Sequence, residues 1–357
     1  MKSSFSPASL KRAAILLALA LVAALFACGS EGFDPQSKVD SVRMFVVRAD
    51  KPYAKPGETV TLDALFGDAR QDRSRLAKLY WIPILCLNPQ GDLYYLCFAP
   101  PGDGGRQAGG TRLVPVGPLA DAGAGASNPF ASIPTGVDLG PFLPQGPTFS
   151  FRMPDDAVKP REGSDPYGLA IVFNILCAGR VEFAARDPEG GAQQVPVLCS
   201  DENGVKLPPK DYVIGISRVY AWSDRVNTNP VVEKLLFEGK DVVPAEGITI
   251  EKCTTEKESD CKENKIDLRV SDSSWESNPS EVTREGELRE QIWVSYYSDL
   301  GKFDEDARLL FDTRQGRVSE SDATFRAPKD AVDGTLWAVV HDNRGGAAWI
   351  VVPLHIR

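Results

Sequence analysis

Two kinds of apolar pattern run along this chain. Residues 13–26 form one unbroken apolar stretch with no charge, Gly or Pro, preceded by Lys2, Lys11 and Arg12. Beyond it the apolar residues come in short runs separated by Pro, Gly, Asn and Asp, the rhythm of many short strands joined by turns. After the turn Lys55-Pro56-Gly57-Glu58, Val60, Leu62 and Ala64 alternate with polar residues and share one strand face. Further strands are expected at residues 42–47, 78–85 (containing Trp81), 169–176, 212–222, 231–237, 266–270, 336–340 and 348–356. Residues 94–98 read as a strand returning after Pro89-Gln90-Gly91-Asp92, so that 85–98 would be a hairpin. The expected fold class is all-β, because no stretch beyond residue 26 carries a sustained helical period.

An internal echo divides the chain. Phe151-Arg152-Met153-Pro154-Asp155-Asp156-Ala157-Val158 returns as Phe325-Arg326-Ala327-Pro328-Lys329-Asp330-Ala331-Val332, each followed by an apolar strand. The repeat implies two copies of one fold. Upstream of each echo, Trp81 and Trp293 fall in matching strands and are expected to fill the two cores. The expected organisation is a segment 1–27, a tether 28–39, a first domain 40–224, a linker 225–230 and a second domain 231–357. Within the first domain, residues 100–147 are dense in Pro, Gly and Ala and read as a surface insertion dispensable for folding. Residues 276–290 are polar and acidic, expected as a solvated loop or a single helical turn.

The phrase Lys55-Pro56-Gly57-Glu58-Thr59-Val60-Thr61-Leu62 resembles the hairpin joining the first two strands of bacterial immunoglobulin-like domains. Trp81 resembles the buried tryptophan of such sandwiches, and the turn His341-Asp342-Asn343-Arg344-Gly345-Gly346 resembles the last hairpin of the bacterial immunoglobulin-like and PKD-like superfamily. The resemblance covers most of residues 40–357 and implies two tandem immunoglobulin-like antiparallel β-sandwiches.

The first segment has the shape of a signal peptide. As a helix its 14 apolar residues would reach about 21 Å, short of the ~30 Å hydrocarbon core. At its end, Leu25-Phe26-Ala27-Cys28 resembles the lipobox of bacterial lipoproteins: an aliphatic residue, a small one before the cut, and the cysteine. That resemblance implies a diacylglycerol thioether on Cys28, cleavage before it and acylation of the new amino group, a membrane anchor stronger than any single acyl chain. Gly29 stands where an Asp would hold a Gram-negative lipoprotein at the inner membrane, which implies the outer membrane.

Removing residues 1–27, with three basic and no acidic residues, leaves 330 residues and takes the formal charge from −9 to −12. Nucleic acid and anionic lipid are poor partners for such a chain. The other six cysteines fall into sequence-local couples, Cys86 with Cys97, Cys177 with Cys199 and Cys253 with Cys261, expected as disulfides in an exported protein. A metal site would want Cys-x-x-Cys pairs or neighbouring His, and neither is present.

The only histidines, His341 and His355, sit at expected strand ends. Neither Gly-x-Ser-x-Gly nor His-Glu-x-x-His occurs, no Gly-rich phosphate loop opens a helix, and nothing calls for a cofactor. A glycan hydrolase with paired carboxylates would leave no such signature. The loop carboxylates Asp299, Asp304, Glu305, Asp306 and Asp342 could offer oxygen ligands to Ca²⁺, though without EF-hand spacing. The expected function is a non-catalytic module at the envelope, binding protein or glycan through the insertion or an edge strand. The alternative is a structural part of an envelope assembly, and a carboxylate-dependent hydrolase is the lesser reading.

Overall fold

The computed structural model describes residues 35–98, 111–116, 136–184, 195–283 and 286–357. The segment 1–27 expected as a signal peptide, Cys28, the expected tether up to residue 34, and residues 99–110 and 117–135 of the expected insertion lie outside the described residues.

The chain is all-β, and every described helical turn is a three-residue 3₁₀ turn. Eleven strands come first: β1 (Val42–Ala49), β2 (Tyr53–Ala54), β3 (Thr59–Asp68), β4 (Lys78–Leu87), β5 (Arg112–Pro115), β6 (Thr148–Arg152), β7 (Lys159–Arg161), β8 (Ser164–Cys177), β9 (Arg180–Phe183), β10 (Val197–Ser200) and β11 (Tyr212–Ala221). They make the sheets β1-β3-β6 and β2-β11-β8-β4-β5, with β7 beside β8 and β9 paired to β10. Thirteen follow: β12 (Val232–Phe237), β13 (Lys240–Asp241), β14 (Ile248–Ile250), β15 (Glu263–Val270), β16 (Ser277–Thr283), β17 (Gly286–Arg289), β18 (Ile292–Ser298), β19 (Lys302–Phe303), β20 (Ala307–Asp312), β21 (Gly316–Arg317), β22 (Ala323–Arg326), β23 (Asp333–Asp342) and β24 (Ala347–Ile356). These form β13-β12-β15-β22-β19, β14-β24-β23-β18-β20-β21 and the separate hairpin β16-β17.

The two strand orders correspond. In each, an antiparallel triplet (β1-β3-β6, β12-β15-β22) faces a sheet built on a second triplet (β11-β8-β4, β24-β23-β18), and a short strand joins the edge of that second sheet in parallel, β2 on β11 and β14 on β24. The echoed phenylalanines occupy the same place: Phe151 lies in β6 and Phe325 in β22, both buried.

Between the sheets of the first sandwich, Val60, Leu62 and Ala64 of β3 meet Leu79, Trp81, Leu85, Phe149, Phe151 and Val172. Trp81 is fully buried, stacks on Phe149 at 5.4 Å between ring centroids and donates its indole N–H to the Gly146 carbonyl at 2.9 Å. The second core gathers Leu235, Ile266, Leu268, Ile292, Val294, Tyr296, Phe311 and Phe325. Trp293 is not in it. In β18 the inward positions are Ile292, Val294 and Tyr296, and the strand's period of two turns Trp293 outward, half-buried, against His341 of β23 at 5.5 Å. The expected match between Trp81 and Trp293 is thereby corrected.

Strand β4 and residues 169–177 of β8 are apolar at nearly every position because the sheet they share is covered on both faces. A third layer lies over its outer side: Ile82, Ile171, Phe173 and Ile175 pack under Leu139, Val181, Val197 and Leu207. Two of the three expected disulfides hold this cover. Cys177–Cys199 ties β8 to β10, and Cys86–Cys97 fastens β4 to the loop beyond it, while Cys253–Cys261 closes the loop before β15. The loop beyond β4 is a pair of 3₁₀ turns at 90–92 and 94–96 rather than the expected returning strand. Gly91 and Asp92 have positive φ, which turns the chain aside. Nor are the described parts of 100–147 a loose insertion: β5 pairs with β4, Leu139 is buried in the cover, and Pro144 and Gly146 hydrogen-bond β4.

The acidic stretch 276–290 is likewise a hairpin, β16–β17, whose root is buried. The Glu290 side chain is fully buried, with one carboxylate oxygen 3.1 Å from the Arg344 guanidinium and the other without a hydrogen-bond partner among the described residues. Residues 225–230 pack against both sandwiches. Asn227 donates to Asp342 at 3.2 Å, Asn229 donates to the Ala49 carbonyl at 2.8 Å and accepts from the Ala347 N–H at 2.9 Å.

The outer face of β18-β23-β24 is covered by β1 and β3. A bulge between Met44 and Val46 adds one residue to β1, so Val42, Met44 and Val47 face the first core while Phe45 and Val46 both face outward. Phe45 meets Trp337 at 4.8 Å and Tyr297 at 5.0 Å. Gly67 makes this approach possible, since a Cβ there would lie 3.0 Å from the Phe45 ring and 3.3 Å from that of Trp337. The last residues expected as tether are also docked: Ser37 and Val39 are buried, the Val39 N–H donates to the Ser298 carbonyl, and the Ser298 N–H donates to that of Ser37, both at 2.9 Å.

Candidate functional site

Among the described residues the first sandwich is open along one side. Strands β5 and β6 end their respective sheets there, and between them lies a groove of about 640 Å³. Val114, Pro115, Val116, Phe151 and Pro154 give it apolar walls, with Thr59 and Ser150 at the rim. Local sequence accounts for its shape. The Lys55-Pro56-Gly57-Glu58 turn closes back on β6, Gly57 N–H donating to the Met153 carbonyl at 2.9 Å and Met153 N–H to that of Glu58 at 2.8 Å. Gly57 sits at φ +81°, and a Cβ there would come 2.6 Å from the Asp155 carboxylate.

Charged groups frame the groove in pairs. Arg152 donates two hydrogen bonds to Asp155, both at 3.0 Å, and Arg112 of β5 reaches Asp156 at 2.7 and 3.1 Å. These bonds from Arg152 and Arg112 hold the two carboxyl groups below the ordinary carboxylate range. All four side chains are solvent-exposed, so they set the rim's polarity more than its stability.

The two edges differ. In β6 the pairing with β3 uses the backbone of Phe149, Phe151 and Met153, which leaves the N–H and C=O groups of Thr148, Ser150 and Arg152 pointing away from β3, with no backbone partner among the described residues. In β5, Pro115 lacks an N–H and blunts the edge.

A second surface feature lies near one end of the same sandwich. Tyr53, Tyr167, Tyr220 and Trp222 form a chain of ring contacts at 5.3–6.4 Å, with Arg161 over Tyr167 at 4.3 Å and Arg225 over Trp222 at 3.9 Å. The Tyr167 hydroxyl donates to Asp92, and burial followed by that bond pushes its pKa up to about 12.

The calcium candidates do not converge. Asp299 accepts from the Thr335 N–H at 2.7 Å, Asp304 pairs with Arg326, Asp306 accepts from the Ser37 N–H at 3.1 Å, and Asp342 accepts from the Arg344 and Gly346 N–H groups at 2.7 Å each. Among the described residues no three His, Cys, Asp or Glu side chains gather around a common point. His341 lies against Trp293, where burial lowers its pKa, and His355 Nδ1 is 2.8 Å from Asp333. Neither histidine borders the groove. Sequence reasoning pointed to the insertion and to an edge strand but not to Val114, Phe151 or Pro154 as one surface, because a groove between two sheet edges leaves no periodic trace.

No protein family matches the sequence, and no curated protein does. Among solved structures, the chain is similar to Escherichia coli alpha-2-macroglobulin activated by porcine elastase, at 10% identity and a TM-score of 0.19, over 91% of this chain and 22% of that one. The chain thus spans about a fifth of that protein's length, and a likeness at this level carries no argument about function.

Proposed function

We propose that this protein is a non-catalytic binding module held at the cell envelope, at the outer membrane of a Gram-negative bacterium, by lipid on Cys28, and that the groove between β5 and β6 receives its partner. The observation that carries this reading is the groove: apolar walls open to solvent beside a strand edge whose backbone groups lack partners among the described residues. The anchor is supported by the basic start, the apolar run and Leu25-Phe26-Ala27-Cys28.

Two experiments test the two halves. Cys28→Ser is expected to move the protein from the membrane to the soluble fraction while its melting temperature stays within a degree or two, and retention in membranes overturns the lipid anchor. For the groove, cross-linking in intact envelopes followed by affinity capture is expected to yield a stoichiometric partner with the parent chain and none with Val114→Glu, whose charge would lie in the groove wall. Equal recovery with both chains overturns the groove as the binding site.

A further inference from the structure

The second sandwich shows what the groove of the first is shaped to hold. There β22, the counterpart of β6, has neighbours on both sides: β15 on one and the short antiparallel strand β19 on the other, with Lys302 opposite Arg326 and Phe303 opposite Phe325. The Asp304 N–H donates to the Thr324 carbonyl at 3.1 Å. Thr324 stands where Ser150 stands in the echo, so the edge occupied in the second copy is the edge whose backbone has no partner among the described residues in the first. In the second copy the added strand fills the core with one side chain: Phe303 is buried, 5.1 Å from Phe325 and 5.5 Å from Tyr296 between ring centroids.

We propose that the β6 edge takes an extended segment of another polypeptide as an added antiparallel strand, with a large apolar side chain set opposite Phe151. The proposal rests on the reading of the groove as the binding site and names its partner's chemistry. Thr148, Ser150 and Arg152 present donor and acceptor groups every second residue, a repeat of ~6.8 Å that an extended peptide backbone matches. Alternate side chains of such a strand would point between the sheets, onto Val114, Val116 and Phe151. The β5 edge does not compete for the strand, because Pro115 interrupts it.

The test uses the full mature chain and a labelled synthetic peptide of residues 298–306, which contains the β19 strand, followed by fluorescence anisotropy. The parent is expected to bind the peptide, to bind a Phe303→Ser version about tenfold or more weakly, and to show slowed amide exchange at Thr148, Ser150 and Arg152 when the peptide is present. Ser150→Pro removes one outward N–H without touching the bonds to β3 and is expected to weaken binding about tenfold, the worth of one good hydrogen bond. Ser150→Ala, which loses only the hydroxyl contact with Thr61, is expected to bind as the parent does. Unchanged exchange at the three amides, equal binding of both peptides, or binding seen only after residues 99–110 or 117–135 are deleted overturns the proposal; the exchange readout stands even if Ser150→Pro folds poorly. Should envelope capture depend on Val114 while the peptide fails, the groove remains the binding site and the strand chemistry is wrong.

Discussion

Glu290→Gln should flatten the dependence of stability on pH. The Glu290 carboxyl group is fully buried at the root of the β16–β17 hairpin. Burial first, and then the neighbouring Asp342 carboxylate and Glu276, push its pKa from the ordinary 4.5 up to about 8, against the opposing pull of Arg344. Because the folded value lies above the unfolded one, the folded chain keeps a proton that the unfolded chain releases. The resulting stability is complete below pH 4.5 and is lost as pH rises towards 8. At ~1.36 kcal/mol per pH unit, that interval amounts to about 5 kcal/mol, of which about 3 kcal/mol is gone by pH 7. A glutamine retains the carbonyl that accepts from Arg344 and carries no charge, so the variant should lie within about 1 kcal/mol of the parent at pH 5 and exceed it by several kcal/mol at pH 9. Urea unfolding from pH 5 to 9 at constant ionic strength measures this, and taking the difference between variant and parent cancels the titration of His341. A difference curve that stays flat across that range would refute the reasoning.

In denaturant titrations, Trp81→Ala should cost about 3 to 5 kcal/mol, because it empties a closed core and orphans the Gly146 carbonyl, whereas Trp293→Ala, half-exposed against His341, should cost about 1 kcal/mol. Replacing residues 100–147 by a Gly-Ser linker should unfold the first sandwich in circular dichroism, since it removes β5, Leu139 and the acceptor of the Trp81 indole. Replacing Cys177 and Cys199 by serine opens a closure of 22 residues, and calorimetry should show a loss of about 3 kcal/mol in the chain-entropy account of cross-links.

Much of the fold could be read from local pattern. The alternation of Val60, Leu62 and Ala64 names the inward face of β3, and the repeat around Phe151 and Phe325 marks equivalent strands. Short separations paired all six cysteines. Trp293 faces outward, and its position upstream of the echo could not show this because it does not specify register: one residue along a strand exchanges core for surface. The turn residues Pro89-Gln90-Gly91-Asp92 suggest a strand returning over 94–98, but Gly91 and Asp92 at positive φ turn the chain aside into 3₁₀ turns. The stretch 276–290 hid a hairpin because polar strands that pair only with each other have no apolar face to alternate. Continuous apolar runs in β4, β8 and β23 did hold a readable message, that both faces of these strands are covered. What covers them comes from distant segments, β1 over β23 and Leu139 over Ile171, and no local pattern identifies such partners. The groove escaped for the same reason, being defined by two strand edges that meet only after folding.

The docking of Ser37 and Val39 onto Ser298 and Asp306 also sets an order of events during folding. Ser37 and Asp306 stand 269 positions apart, so this early segment gains its final contacts only after most of the described chain has been synthesised. Until then the bulged Phe45, with Val46 and Leu65 beside it, faces water. A first sandwich folding in sequence order therefore waits with an adhesive apolar stripe on its flank, and the second sandwich serves as its late-arriving cover. Truncations that spare β1 to β11 but remove β18 to β24 should therefore accumulate as aggregates, which light scattering during refolding measures.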